Sequence, residues 1–220
     1  MQNNIYLSDT YQYEVETSLL VQGHDDEGHW IALKDNIFHP QGGGQPMDTA
    51  WVNDIPVRIK KQSGGLIVGY IPEGVTFSQE NNVVARVDKE KRQRYAALHT
   101  AGHLLNWELR RFGWLAQKGH HFPDESRVEF SMMEGDVTPF DELDSQYIED
   151  IVNQSIRSGR SVAIKQKDDL RISYIDQTEE MPCGGTHVSS LDNIQHFSIK
   201  SMKFKKGTLR ISYDAQHAVI

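Results

Sequence analysis

The run "DKEKRQRYAALHTAGHLLNWELRRFG", residues 88–113, constrains this 220-residue chain more than any other stretch. It holds no proline, is built from good helix formers and stops at Gly113. A helix is expected over it, with Asp88 as N-cap. The text before it is of another kind. "EVETSLLVQ", "HWIALK", "TAWVNDIPVRIKK", "GLIVGYIP" and "NNVVARVD" are short β-rich runs separated by Gly, Asn, Asp and Pro. Such punctuation suits a small barrel or sandwich. After the helix, "SRVEFSM" reads as a strand and residues 140–158 as a second helix, acidic in its first turn and ended by Gly159. "SVAIKQK", "LRISYI", "IQHFSIKSMKF" and "GTLRISYD" read as further strands. The expected class is α+β: a small β-barrel-like domain over residues 1–87, then an α/β domain over 88–220 with helices on a mainly antiparallel sheet.

Residues 99–106, "HTAGHLLN", set His99 and His103 one helical turn apart, on one face. In a chain with 10 histidines such a pair arises readily by chance, and alone it says little. A second feature stands about 80 residues on: "MPCGGTHV" places the single cysteine, Cys183, four residues before His187 with two glycines between. Thiolate and imidazole are zinc ligands of first choice, and glycines let a loop fold closely around an ion. Most free cysteines are small buried hydrophobes instead. Proline before Cys183 and the glycines after it argue against a packed strand interior. Together His99, His103, Cys183 and His187 make a His₃Cys set for Zn²⁺.

The order of motifs carries a resemblance. "HTAGHLL" followed by "CGGTH" resembles the editing domain of alanyl-tRNA synthetases and the free-standing AlaX proteins. "FHPQGGGQPMDT" (38–49) is similar to the glycine-rich segment upstream in that family, "AQKGHHF" (116–122) to its "QKG" segment, and "SRVEF" to the Arg-x-x-Phe strand that follows. The match runs from about residue 10 to 213. It departs at His120, where serine often follows "QKG", and at His39, where tyrosine is common.

The resemblance implies a hydrolase that cleaves the ester between an amino acid and the terminal ribose of tRNA, removing serine, and also glycine, from mischarged alanine tRNA. It implies Zn²⁺ as cofactor and roles at the reacting centre for Thr100, whose hydroxyl would meet that of a seryl group, and for Gln117. Gly43, Gly44 and Gln45 would approach the substrate. The zinc site needs an open position for catalysis, so His187 is expected to be the weakest of the four ligands. The tRNA acceptor end would lie on Lys200, Lys203, Lys205, Lys206 and Arg210, with Arg92 and Arg94 as second choices. Two other readings fit the same motifs: a threonyl-tRNA-type editing deacylase, and a noncatalytic zinc-containing tRNA-binding module. A zinc peptidase does not fit, because "HTAGH" lacks the glutamate of His-Glu-x-x-His.

Composition narrows the rest. With 38% hydrophobic and 25% charged residues the chain is ordinary for a globular protein. A net charge of -8 argues against indiscriminate binding to nucleic acid but permits a local basic patch such as "KSMKFKKGTLR". The N-terminus shows no basic start followed by an apolar run, no apolar stretch has membrane-spanning length, and one cysteine allows no internal disulfide. A cytoplasmic location is expected.

Overall fold

The computed structural model describes residues 1–168 and 170–218. The chain divides into two compact units, residues 1–42 with 46–93, and residues 43–45 with 94–220. Its class is α+β, as the sequence led us to expect.

In the first unit, β1 (Glu14–Asp25), β2 (Gly28–Leu33), β3 (Ala50–Val52), β4 (Ile55–Lys61), β5 (Ile67–Tyr70) and β6 (Asn82–Val87) close into a barrel in the order β1-β2-β5-β4-β3-β6. Every neighbouring pair is antiparallel. Closure leaves no unpaired sheet edge in the barrel. The alternation of β6 shows how sequence sets the facing: Val83, Ala85 and Val87 point into the core while Asn82, Val84 and Arg86 face out. The run 49–61, read from sequence as one strand, is a hairpin. Asn53 and Asp54 have φ of 47° and 65°, the left-handed pair that a two-residue type I′ turn requires.

Helix α1 (Lys89–Leu109) starts where Asp88 accepts the Lys91 N–H at 3.0 Å. In the second unit its Ala97, Leu98, Ala101, Leu104 and Leu105 are fully buried in one core. They share it with residues of β8 (Arg127–Met132) and β13 (Thr208–His217), namely Val128, Phe130, Leu209 and Ile211. Each buried leucine stabilises by about 1.5–3 kcal/mol.

A four-stranded sheet runs in the order β12-β13-β8-β7, with β7 at Trp114–His120 and β12 at Ile194–Lys205. Strand β7 has no alternating pattern ("WLAQKGH") and reads as a plain segment in sequence; pairing to β8 makes it a strand. α2 (Ser145–Arg157) begins later than the residue 140 expected, because the Asp144 carboxylate accepts the Gln146 and Tyr147 N–H groups and sets the cap there. Its Ile148, Val152 and Ile156, spaced by four, are buried. A second sheet, β9 (Val162–Lys167), β10 (Leu170–Ile175) and β11 (Met181–Pro182), delivers the chain to Cys183. No helix among the described residues is long and apolar enough to cross a membrane.

Candidate metal centre

One turn of α1 projects His99 and His103 side by side, their ring centroids 5.0 Å apart. The loop after β11 brings Cys183 and His187 to them. The ligand atoms of all four residues lie within 4.8 Å of one another. Cys183 Sγ is 3.4 Å from His99 Nε2 and 3.2 Å from His187 Nε2. Zinc bonds of about 2.0–2.3 Å in tetrahedral array give ligand separations of roughly 3.3–3.8 Å, so the donor set and its spacing fit zinc.

Groups behind the ligands fix which nitrogen faces the centre. The Gln45 side chain is fully buried, and its Oε1 accepts the Thr186 N–H at 2.9 Å, which orients the amide. The same oxygen stands 2.8 Å from His99 Nδ1, so Nδ1 carries the proton and Nε2 presents its lone pair. Gln45 Nε2 donates to Thr186 Oγ1 at 2.8 Å, which uses the other end of the amide. Thr100 Oγ1 accepts the Val188 N–H at 3.2 Å and stands 3.1 Å from His187 Nδ1, again leaving Nε2 toward the centre. Gly185 is required beside this pair, since a Cβ there would overlap the His99 ring.

Burial favours the neutral form of His99, His121 and His187. It lowers His99 from 6.5 to about 3, with the Arg171 charge adding to the effect. It also takes His187 and His121 well below 6.5, helped by the neighbouring histidines. Burial pushes the Cys183 thiol up, but the hydrogen bond and charge of His103, the Gly185 N–H and Arg171 outweigh it, and the thiol lies below its ordinary value.

His99, His103 and Cys183 line a cavity of about 510 Å³. Gly43, Gly44 and Gln117 stand on the same wall. Gly44 has φ +77°, and a side chain there would run into the Gly119 carbonyl, so only glycine brings the backbone this close. Gln117 is exposed and donates to Ser131 Oγ at 2.8 Å.

Several expectations meet a different arrangement. The Thr100 hydroxyl is buried behind His187, and the space beside it is about 10 Å³, the size of one water. The hydroxyl contacts His187 and the Val188 N–H, and Thr100 is not among the residues that line the larger cavity. Gln45 likewise sits behind His99 with both amide ends engaged. His187 is buried and held from two sides, by Thr100 and Cys183, while His103 is half-buried. Arg92 is removed from any surface role: fully buried, it donates to the Asp48 carboxylate and to the Ile37 and Thr10 carbonyls. Arg94 is tied to Asp214 and the Ala215 carbonyl.

One face of the basic hairpin formed by β12 and β13 is solvent-exposed. Met202 and Phe204 pair with buried Ile211 and Leu209, so Lys203, Lys205 and Arg210 face the other way, together. Lys200 falls at a bulge and Lys206 in the turn, with φ of 51°. Arg210 is bound to Glu129 at 2.6 Å.

No protein-family model matches the chain. It is 28% identical over 218 residues to the alanyl-tRNA editing protein AlaX-M of Pyrococcus horikoshii, covering 92% of this chain and 91% of that protein. The resemblance is to AlaX-type proteins. The AlaX-like chain is also 32% identical over 214 residues to the alanine–tRNA ligase of Aster yellows witches'-broom phytoplasma, and 25% identical over 258 residues to that of Halobacterium salinarum. It spans only 24% and 26% of those ligases, about a quarter of their length.

Sequence alone singles out neither the support that Gln45 gives His99 nor the wall residue Asn106. Asn106 does carry a signal: it stands seven residues after His99 and three after His103, on the ligand face of α1.

Proposed function

We propose that this protein is a cytoplasmic trans-editing deacylase that hydrolyses serine, and also glycine, mischarged onto alanine tRNA, at a zinc-containing site. One observation carries the reading: three of four clustered ligand-type side chains line a cavity of about 510 Å³, a size suited to a small organic group. The names of the relatives support it. A noncatalytic zinc module would have no use for such a cavity, and the alanyl names favour this branch over the threonyl one.

His99, His103, Cys183 and His187 would hold the ion, which supplies Lewis-acid polarisation of the ester. The reaction adds water across the acyl C–O bond: hydroxyl joins the acyl carbon, and the departing ribose oxygen takes the proton. Gln45 holds the Nδ1 proton of His99, and Thr100 orients His187 from behind, so both are positioning residues. Gly43 and Gly44 let main chain approach the substrate, and the Gln117 amide orients it from the exposed side. Lys200, Lys203, Lys205, Lys206 and Arg210 meet the tRNA backbone.

The selection logic is physical. A synthetase pocket shaped for alanine excludes neither glycine nor, strongly, serine. A second site that hydrogen-bonds the hydroxyl separates serine from alanine, which would leave polar partners unpaired. The test follows ester loss from seryl-, glycyl- and alanyl-tRNA carrying the alanine anticodon, with and without chelator. Chelator-sensitive loss of the seryl ester, and more slowly of the glycyl ester, with the alanyl ester retained, is expected. Loss of none by a zinc-loaded sample overturns the reading.

A further inference from the structure

Asn106 is almost completely buried, yet it lines the 510 Å³ cavity together with Met181. Its amide orientation is set by an obligate donor: the Ala116 N–H gives its hydrogen to Asn106 Oδ1 at 2.9 Å. The NH₂ group therefore points the other way. There its one partner among the described residues is the Met181 Sδ, at 3.8 Å. A thioether is a weak acceptor and takes one hydrogen at most, while the group offers two. A buried amide left so poorly matched is costly, and its place on a cavity wall indicates that a ligand completes it.

We propose that Asn106 Nδ2 donates to the side-chain hydroxyl oxygen of the bound seryl group, and so reads the substrate amino acid; this rests on the deacylase reading above. The chemistry of a seryl ester narrows the choice. The α-ammonium offers donors and no lone pair. The ester carbonyl is the atom that an ion held by the His₃Cys set would polarise. The hydroxyl remains as an acceptor for a neutral amide donor. Placement agrees: Asn106 follows His99 by seven residues and His103 by three, so the reader and two ligands share one helix face. Alanine or glycine would leave the donor with only sulfur.

Asn106→Asp is the isosteric test, because it keeps the acceptor for Ala116 N–H and removes the donor. The kcat/KM of the zinc-loaded full chain would be measured on seryl- and glycyl-tRNA, with zinc content and Tm recorded alongside. The expected result is a loss of about 10-fold or more on the seryl ester with the glycyl ester changed less than about 3-fold. A purely structural role would lower both together. Equal losses, or none, overturn the proposal while leaving the deacylase reading intact. A wild type inactive on both esters overturns both. Should the aspartate variant not fold, the ¹⁵N side-chain resonances of Asn106 in the wild type provide the readout. They should shift on adding an amide-linked, nonhydrolysable seryl-adenosine and stay in place with its alanyl counterpart. Identical shifts with the two compounds overturn the proposal.

Discussion

Gln45 Oε1 lies 2.8 Å from His99 Nδ1 and 2.9 Å from the Thr186 N–H, so a single carbonyl oxygen joins a ligand on α1 to the loop that carries Cys183 and His187. Partners of this kind fix the imidazole and raise its basicity, and their loss commonly weakens metal binding by 10–100-fold. Gln45→Ala should weaken zinc binding by about that factor, measured by competition with a chromophoric chelator. Gln45→Glu keeps the acceptor and should retain more of the affinity. Equal affinity in wild type and Gln45→Ala would show that His99 needs no such support.

Gly185 sits where any Cβ would overlap His99, and Gly102 where a Cβ would lie 2.5 Å from His121 Cε1 and 2.7 Å from the Tyr213 hydroxyl. At residue 102 two effects oppose each other. Alanine improves a helix interior by about 1 kcal/mol over glycine, while overpacking costs about 1–3 kcal/mol. Tyr213 is fixed by its bond to the Leu98 carbonyl at 2.8 Å, so the clash should dominate. Gly102→Ala is expected to lower Tm, and Gly185→Ala to lower both zinc content and Tm. A higher Tm for Gly102→Ala would mean that His121 and Tyr213 move aside.

How much of this is readable in sequence depends on the range of the interaction. Helix α1 and strand β6 follow from local periodicity and caps, and both stand where the pattern sets them. The turn at Asn53–Asp54 escapes a reading by pattern because β-branched residues flank it closely and hide the break. Histidines one helical turn apart, and cysteine and histidine across a glycine pair, are local signals; their meeting is not. The places of Gln45, Thr100 and Asn106 depend on what lies behind or across from them. No spacing rule shows that the Thr100 hydroxyl is turned away from the cavity. Arg92 misleads for the same reason: inside "KEKRQR" it reads as surface charge, while its partner Asp48 is remote in sequence.

Burial keeps His99 neutral down to about pH 3, against an ordinary value of 6.5, and His121 and His187 are shifted the same way. Between those limits the unfolded chain binds more protons than the folded one, so stability rises with pH. The contribution is complete above about 6.5 and is lost as pH falls toward 3. In the metal-free protein Tm should decline progressively below pH 6.5, followed through tryptophan fluorescence, to which buried Trp114 contributes. A Tm unchanged between pH 6.5 and 4 would contradict the neutral, buried state of these rings.

In the barrel unit Asp48 accepts from Arg92 Nε at 2.8 Å and from the His39 N–H at 2.6 Å, with both charged groups out of water. Removing one partner of such a pair leaves the other charge buried, at a cost of about 3–5 kcal/mol. Asp48→Ala should destabilise by that amount in urea unfolding. Under 1 kcal/mol would mean that the guanidinium finds water or another acceptor.

Lys203 and Lys205 share the exposed face of β12, while Arg210 beside them is held by Glu129. If these cations meet phosphates, removing one cation from its phosphate should reduce the slope of log affinity against log salt by about 0.7–0.9. Reversing both charges with Lys203→Glu and Lys205→Glu should weaken binding of uncharged alanine tRNA and flatten that slope by roughly 1.4–1.8. Being exposed, the substitutions should leave stability within about 0.5 kcal/mol. Glu129→Ala works in the opposite direction: it frees Arg210 and removes an acid from the same face, so affinity at low salt should rise. A salt slope unchanged in the double variant, together with unchanged affinity in Glu129→Ala, would take this face of the sheet out of the tRNA footprint.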